Sequence, residues 1–338
     1  MGKKEELEST LKQIKKAYGE GSIMWLGDSS QALRIESIPT GSLALDIALG
    51  VGGIPKGRIT EIFGSQAAGK TSLVLHIIAE VQRRGGTAAF IDTENALDPV
   101  YSEVLGVNLG EMLISQPSSG EEALEIAEQL IRSEKIDIVV IDSVAALVPR
   151  AELEGSIGDS HVALQARLMS QALRKLSKAI AQTKTAVIFT NQTRSKIGGM
   201  AFGPATTTSG GMALGFYASM RLQMWSSGKI EEGADRVGGY ANVKVAKNKC
   251  APPFKIAKFD IIYGQGIVRS RDLVNTATSL GIIEKKGAWY SYGDQQIGQG
   301  IGKSSIALEE DPDLANEIED KIREKAGLPE RFVVKSEA

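Results

Sequence analysis

Between about residue 40 and residue 267 two hydrophobic rhythms alternate along the chain. Short apolar runs, Ile59 to Phe63, Ala88 to Ile91, Ile136 to Ile141 and Ala186 to Thr190, have the length of strands buried on both faces. Between them, Thr71 to Arg84, Glu121 to Ser133 and Leu164 to Gln182 carry apolar residues at helical spacing. Gly85-Gly86 closes the first of these, and Ser118-Ser119-Gly120-Glu121 opens the second with capping-box spacing. Strands alternating with helices predict an α/β fold with a mostly parallel central sheet covered on both faces. A β-rich section follows, including Val243 to Val245 and Phe259 to Ile262.

The flanks read differently. Residues 5–18 place Leu7, Leu11, Ile14 and Tyr18 on one helical stripe, and the apolar segment Ser22 to Leu26 follows as a short strand. Such an arm suits packing on its own domain and docking on a neighbouring subunit equally well. After Gly266, a helix over Ser270 to Ser279 precedes a hairpin of Ile282 to Glu284 and Ala288 to Tyr292, turning at Lys285-Lys286-Gly287. Asp311-Pro312 starts a last helix and Gly327 ends it. The pattern divides the chain into an arm (1–31), a core (32–267) and a small α+β lobe (268–338). No internal repeat is present.

Composition narrows the setting. Of 338 residues 42% are hydrophobic, enough to bury a full core. No apolar run of about 18 residues spans a membrane, the N-terminus lacks a signal-peptide core, and Cys250 has no partner for an internal disulfide. The expected compartment is the cytoplasm. Net charge is −2, so a nucleic-acid site has to be local or built by several subunits. Only His76 and His161 join the single cysteine, which argues against a dedicated zinc site.

One motif carries strong chemistry. Gly64-Ser65-Gln66-Ala67-Ala68-Gly69-Lys70-Thr71 fits G-x-x-x-x-G-K-[ST], follows an apolar strand and opens a helix. Loop N–H groups and the helix N-terminus cradle phosphates, Lys70 reaches the β- and γ-phosphates of ATP, and Thr71 supplies a Mg²⁺ ligand. Gly300-Ile301-Gly302-Lys303-Ser304 imitates it, but Ile297 stands where the first glycine belongs, so this segment reads as a loop. Ile138 to Asp142 is an apolar strand ending in a carboxylate, with Asp142 reaching the metal, usually through its water shell. Asp92 and Glu94 end the strand after the motif helix; Glu94 is the candidate to activate water, and Asp92 suits a structural role. Thr190-Asn191-Gln192 ends another strand, where polar side chains touch a γ-phosphate or cap the strand. Then Thr193 to Gly211 forms a long segment with five glycines, Arg194 and Lys196 and no acid. A cationic loop of this length suits an anionic polymer. A second loop candidate, Glu152 to Asp159, is acidic.

Taken together these residues resemble the bacterial RecA recombinase family. The resemblance runs from Gly21-Ser22-Ile23-Met24 to the C-terminal lobe. It includes Thr40 to Leu43, Ala96 to Pro99, Asp142 to Leu147, Glu154-Gly155 through His161, Met169 to Ala172, Lys247-Asn248-Lys249 and Trp289 to Tyr292. It implies a P-loop NTPase core of RecA-like fold and a helical filament on single-stranded DNA. ATP lies between neighbouring subunits, and the filament pairs its strand with double-stranded DNA and stimulates self-cleavage of a LexA-type repressor. It further implies that Glu94 activates water and Gln192 senses the γ-phosphate. Ser72 joins the P-loop contacts, Asp98 and Tyr101 flank the adenine, and Tyr263 and Gly264 lie near it. Lys247 and Lys249 reach across from the adjacent subunit. DNA contacts fall to the loop 152–159, Arg167, Arg174, Arg194, Lys196, Gly198, Gly199, Thr207, Thr208, Gly210 and Gly211. Phe216, Arg221 and the N-terminal arm belong to the subunit interface, and Lys285, Lys286 and Lys303 to duplex gathering.

The chain departs from the family's usual pattern at several coupling positions. Ser65 to Ala68 replace Pro-Glu-Ser-Ser, Asn95 follows Glu94 in place of His, and Ala205 replaces an acid in the second DNA loop. Gly215 stands where Lys precedes Phe216, and Met224-Trp225-Ser226-Ser227 replaces a basic stretch. Two other functions fit the same fold: a ring-forming helicase, and a scaffold that binds ATP and DNA with weak turnover.

Overall fold

The computed structural model describes residues 3–25, 35–156, 163–195, 206–233 and 235–332. They fall into two compact units, residues 1–36 and residues 37–338.

In the first unit, helix α1 (Lys3–Tyr18) has acids in its first turn and lysines in its last, matching the helix dipole. Gly19, at φ 98°, ends it. The expected strand at 22–26 is absent among the described residues. Glu20–Ser22 is a 3-10 turn, and Ile23 is extended but has no strand to pair with. Leu7, Leu11, Ile23, Met24 and Trp25 line one groove.

The second unit begins with β1 (Ser37–Ile38), α2 (Leu43–Leu49), β2 (Ile54–Pro55), β3 (Ile59–Gly64), α3 (Lys70–Arg83) and β4 (Ala88–Asp92). It continues through α4 (Pro99–Val104), β5 (Met112–Ser115), α5 (Gly120–Arg132), β6 (Ile138–Asp142), α6 (Arg150–Leu153) and α7 (Leu164–Thr183). Next come β7 (Ala186–Ser195), β8 (Thr206–Thr208), α8 (Ala213–Tyr217), β9 (Met220–Glu232), β10 (Asp235–Asn248), β11 (Ile256–Ile262) and β12 (Gly266–Ile267). The remainder is α9 (Arg269–Ser279), β13 (Glu284–Lys286), β14 (Trp289–Tyr292), β15 (Gln295–Gln299), α10 (Gly300–Glu310) and α11 (Pro312–Ala326).

The large sheet runs β12-β11-β10-β9-β3-β7-β6-β4-β5, with β8 paired to β7. From β9 to β5 every neighbouring pair is parallel, while β9 to β12 form an antiparallel extension. Period-two alternation sorts the strands onto two cores. Ile138 and Val140 face the core that includes Leu73, Ile77 and Val81 of α3. Val139 and Ile141 face the other, with Leu124 and Ile131 of α5 and Leu173 and Leu176 of α7. The phosphate loop and Glu94 follow β3 and β4, Asp142 ends β6 and Gln192 lies on β7 in register with Gly64, whereas Lys247 lies on β10.

Local details correct several sequence expectations. The N-cap of α5 is Ser119, one residue later than expected: its side chain accepts from the Glu122 N–H, while the Glu122 carboxylate accepts from the Ser118 N–H and hydroxyl. The first strand of the late hairpin is Glu284–Lys286, because Gly287 at φ 61° supplies the turn and pushes both lysines into the strand. Gly300 to Ser304 is not a loop: it is the first turn of α10, packed by Ser304 and Leu308. The segment after Gln192 is less loop than expected, since β7 runs on to Ser195 and pairs with β8 as a hairpin stem.

A third core gathers Leu273, Val274, Ile283, Tyr290, Leu308, Ile318 and Ile322 with Leu43 of α2. The link is also polar. Asp272, buried on α9, accepts from Ser42 Oγ at 3.1 Å and from the Leu43 N–H at 2.6 Å, so it helps cap α2 from 229 residues away.

Candidate functional site

The phosphate-loop motif connects β3 to α3, and steric contact explains its glycines. A Cβ on Gly64 would lie 1.9 Å from the Met224 carbonyl oxygen of β9. Gly69, the N-cap of α3 at φ 90°, would meet Ile261 Cδ1 at 2.5 Å. Met224, one of the residues departing from the family pattern, is therefore fully buried beneath the loop.

A cavity of about 400 Å³ opens there, lined by Gln66 to Ser72 and, among others, Glu94, Asp142 and Gln192. Lys70 Nζ donates to the Ser65 carbonyl at 2.8 Å. Burial pushes its ammonium below the ordinary value, against the opposing pull of Asp142 and Glu94. Asp142 Oδ2 accepts from Thr71 Oγ1 at 2.8 Å, and Oδ1 from Thr190 Oγ1 at 2.5 Å. Burial raises the Asp142 carboxyl, with the two hydroxyl donors working the other way. Among the described residues no group of three or more His, Cys, Asp or Glu side chains gathers as a metal cage. The hydroxyl–carboxylate pair of Thr71 and Asp142 nevertheless fits Mg²⁺, which takes one or two protein oxygens and completes its shell with water and phosphate.

Glu94 Oε1 accepts from Ser143 Oγ at 2.5 Å and from Gln192 Nε2 at 3.2 Å. Asp92 is structural: it is buried and accepts from the Ala96 and Leu97 N–H groups and from Gln116 Nε2, all at 3.2 Å. It thus shapes the turn that presents Glu94. Tyr101 shares a 2.8 Å hydrogen bond with Ser72 Oγ, and Tyr263 and Gly264 line the same cavity. Asp98 does not line it. Its carboxylate caps α4 through the Val100 and Tyr101 N–H groups, and so orients Tyr101.

Other expected residues lie elsewhere. Lys247 Nζ donates to the Gly215 and Phe216 carbonyls at 2.8 and 3.1 Å, and Lys249 is exposed; neither lines this subunit's cavity. Phe216 is exposed on α8, and Arg221 forms an ion pair with buried Glu61. Arg167 and Arg174 are exposed on α7, seven residues apart, which is about two turns. Arg194 and Thr207 have their backbones in the β7–β8 stem, next to Thr208. Gly210 and Gly211, both at positive φ, pack against Val144, Met169 and Ala166. Lys196, Gly198, Gly199 and the 157–159 part of the acidic loop lie outside the described residues. Sequence reasoning missed Ser143 and Ile261, which meet the site only through folding. It also missed Glu61, whose signal was a carboxylate inside an apolar strand.

Two family models match. The RecA N-terminal domain covers residues 5–268 and the RecA C-terminal domain residues 271–327. Relatives described as Protein RecA include one from Halalkalibacterium halodurans, 56% identical over 96% of this chain and 93% of the relative. One from Saccharopolyspora erythraea is 57% identical over 95% and 92%, and one from Thioalkalivibrio sulfidiphilus is 54% identical over 99% and 97%.

Proposed function

The chain belongs to the RecA family of DNA recombinases, DNA-dependent ATPases of recombination and repair, and we propose that it works as a filament whose ATP sites are shared between neighbouring subunits. The observation that carries this reading is the convergence of Lys70, Thr71, Glu94, Asp142 and Gln192 on one cavity while Lys247 and Lys249 stay outside it. A cavity lined by these five residues, with the two cations that the resemblance assigns to it lying outside, fits a site that a second subunit completes.

In this reading Gly64 to Ser72 cradle the phosphates by backbone N–H groups, and Lys70 leaves the Ser65 carbonyl for the β/γ oxygens. Mg²⁺, when bound, neutralises charge on those oxygens, with Thr71 as ligand and Asp142 acting through water. Glu94 holds the attacking water and takes its proton. Gln192 already bonds Glu94, so it is placed to register a phosphate beside it. Tyr101, Tyr263 and Gly264 form the adenine end, with Asp98 as support. Lys247 and Lys249 of the next subunit supply charge in trans.

Single-stranded DNA lies along the Arg167/Arg174 face and the excursion carried on the β7–β8 stem, including Arg194, Lys196, Gly198, Gly199, Thr207, Thr208, Gly210 and Gly211. That stem continues the strand bearing Gln192, which supports a link between phosphate sensing and DNA contact. Double-stranded DNA is gathered by the lobe carrying Lys285, Lys286 and Lys303, and the filament stimulates a LexA-type repressor in the cytoplasm. No described helix is long and apolar enough to cross a membrane.

The test combines ATP turnover with and without single-stranded DNA and electron microscopy of the assembly formed with an ATP analogue. Stimulated turnover on helical filaments is expected. Closed hexamers would instead make it a helicase-like ring, and turnover indifferent to DNA would make it a scaffold.

A further inference from the structure

β3 occupies the middle of the sheet, where a strand covered on both faces is ordinarily apolar throughout. At its centre stands Glu61, fully buried. A carboxylate there is costly unless every oxygen is used, and both are. Oε2 accepts from Arg221 Nε at 2.5 Å, from the residue in register on β9. Oε1 accepts from Asn191 Nδ2 at 3.0 Å on β7, the strand on the other side.

Each partner leads onward. Asn191 Oδ1 accepts the Gln192 N–H at 2.9 Å, and Nδ2 also donates to the Ser209 carbonyl at 3.1 Å, where the chain returns from the 196–205 excursion. The Arg221 guanidinium lies 4.5 Å from the Phe63 ring centre and faces Gly215 of α8. Lys247 holds the Gly215 and Phe216 carbonyls, and Met212 and Phe216 expose apolar surface beside them. Hydrogen bonds thus run from Gln192 through Asn191 and Glu61 to Arg221, and the Arg221 guanidinium packs beside Gly215 of α8, with Glu61 at the midpoint.

We propose that Glu61 is a positioning residue for hydrolysis, gripping Asn191 and Arg221 together so that the Gln192 end of β7 and the α8 surface move as one. The proposal rests on the reading of the Gln192 cavity as the ATP site. When Gln192 turns toward a bound phosphate, Asn191 either moves with it or releases Glu61. Either change alters the hold on Arg221 and on the Ser209 end of the DNA excursion. The coupling is reciprocal, so DNA held near Ser209 stabilises the hydrolytic placement of Gln192.

The test uses the full chain, ATP, Mg²⁺ and oligo(dT), and reads turnover with and without DNA together with thermal unfolding. Glu61→Gln is expected to lower the DNA-stimulated kcat about tenfold, with KM for ATP and DNA-free turnover within about twofold of wild type. Equal loss of both rates alongside a lower Tm would overturn the proposal, as would unchanged stimulation. Asn191→Ala and Arg221→Gln decide it independently of how Glu61→Gln folds. Among the described residues these two side chains each bond Glu61 and do not bond each other. The double variant is expected to lose no more stimulation than the worse single, whereas losses that multiply would overturn the line. A wild type indifferent to DNA would instead remove the ATPase reading on which the proposal stands.

Discussion

Gln192 and Glu94, 98 residues apart, meet side chain to side chain: the Gln192 amide donates to Glu94 Oε1 at 3.2 Å. Ser143 donates to the same oxygen. Glu94→Gln keeps an acceptor carbonyl at that position, so both contacts and the fold survive. A proton acceptor for water does not. Turnover is expected to fall by roughly 10²–10⁴ while a fluorescent ATP analogue still binds and the DNA-bound assembly persists. Loss of analogue affinity would make Glu94 structural.

Lys70 is the motif's cation, half-buried and leaning on the Ser65 carbonyl. Lys70→Ala removes the charge aimed at the β/γ-phosphates and leaves the steric glycines untouched. Turnover is expected to vanish at unchanged Tm. Wild-type turnover in the variant would remove this loop from the chemistry.

Lys247 spends its hydrogen bonds on the α8 carbonyls of its own subunit. Burial, with Lys249 and Arg221 nearby, lowers its ammonium below the ordinary value. Acting in trans, Lys247→Ala is expected to slow hydrolysis by about tenfold or more in the DNA-bound assembly. Dilute protein without DNA is expected to keep its rate. An equal effect in both would confine Lys247 to its own chain.

What was legible in the sequence was local. The phosphate loop, the strand ending at Asp142 and the pairing of Asp92 with Glu94 each fit within a few residues of chain. The structure divides those two carboxylates: Asp92 is consumed by backbone N–H groups, and Glu94 faces the cavity. Ser143 and Ile261 reach the site only through the way the strands are assembled, which no local pattern encodes. Glu61 was visible as a misfit, yet its partners lie 130 and 160 residues away. The glycine-rich start of α10 disguised a helix, because its stability comes from Ser304, Ser305 and Leu308 packing in the C-terminal core rather than from propensity.

Acid–base behaviour gives a stability test. Asp46 is buried, and its Oδ1 accepts from the Thr40 N–H at 2.9 Å and Thr40 Oγ1 at 2.8 Å. Burial pushes its carboxyl from 3.8 up to about 8, and that of Asp272 up to about 7. The folded chain keeps these protons where the unfolded chain has released them. Stability from each group is therefore full below the unfolded value and is lost as pH rises through the folded one, at up to about 1.4 kcal/mol per pH unit. Asp46→Asn retains an Oδ1 acceptor and does not titrate. Wild-type stability minus that of the variant is expected to fall between pH 5.5 and pH 8.5 in chemical denaturation. A flat difference would mean that Asp46 is ionised in the fold.

The last prediction concerns assembly. Among the described residues β5 ends the sheet, pairing only with β4, and it exposes Leu113 and Ile114 at 47% and 52%. An open apolar edge of this kind recruits another strand. Ile23 of the arm is extended with no strand assigned to it among the described residues, and the arm of a second copy is the occupant this prediction tests. Ile114→Glu places a charge on the edge far from the phosphate loop. With an ATP analogue and oligo(dT), wild type is expected to sediment as large assemblies and Ile114→Glu as small species, at equal analogue affinity. Deleting residues 1–25 should reproduce that loss, and adding Ile114→Glu to the deletion should change nothing further, because both remove one contact. Full assembly by Ile114→Glu would place the arm on some other surface.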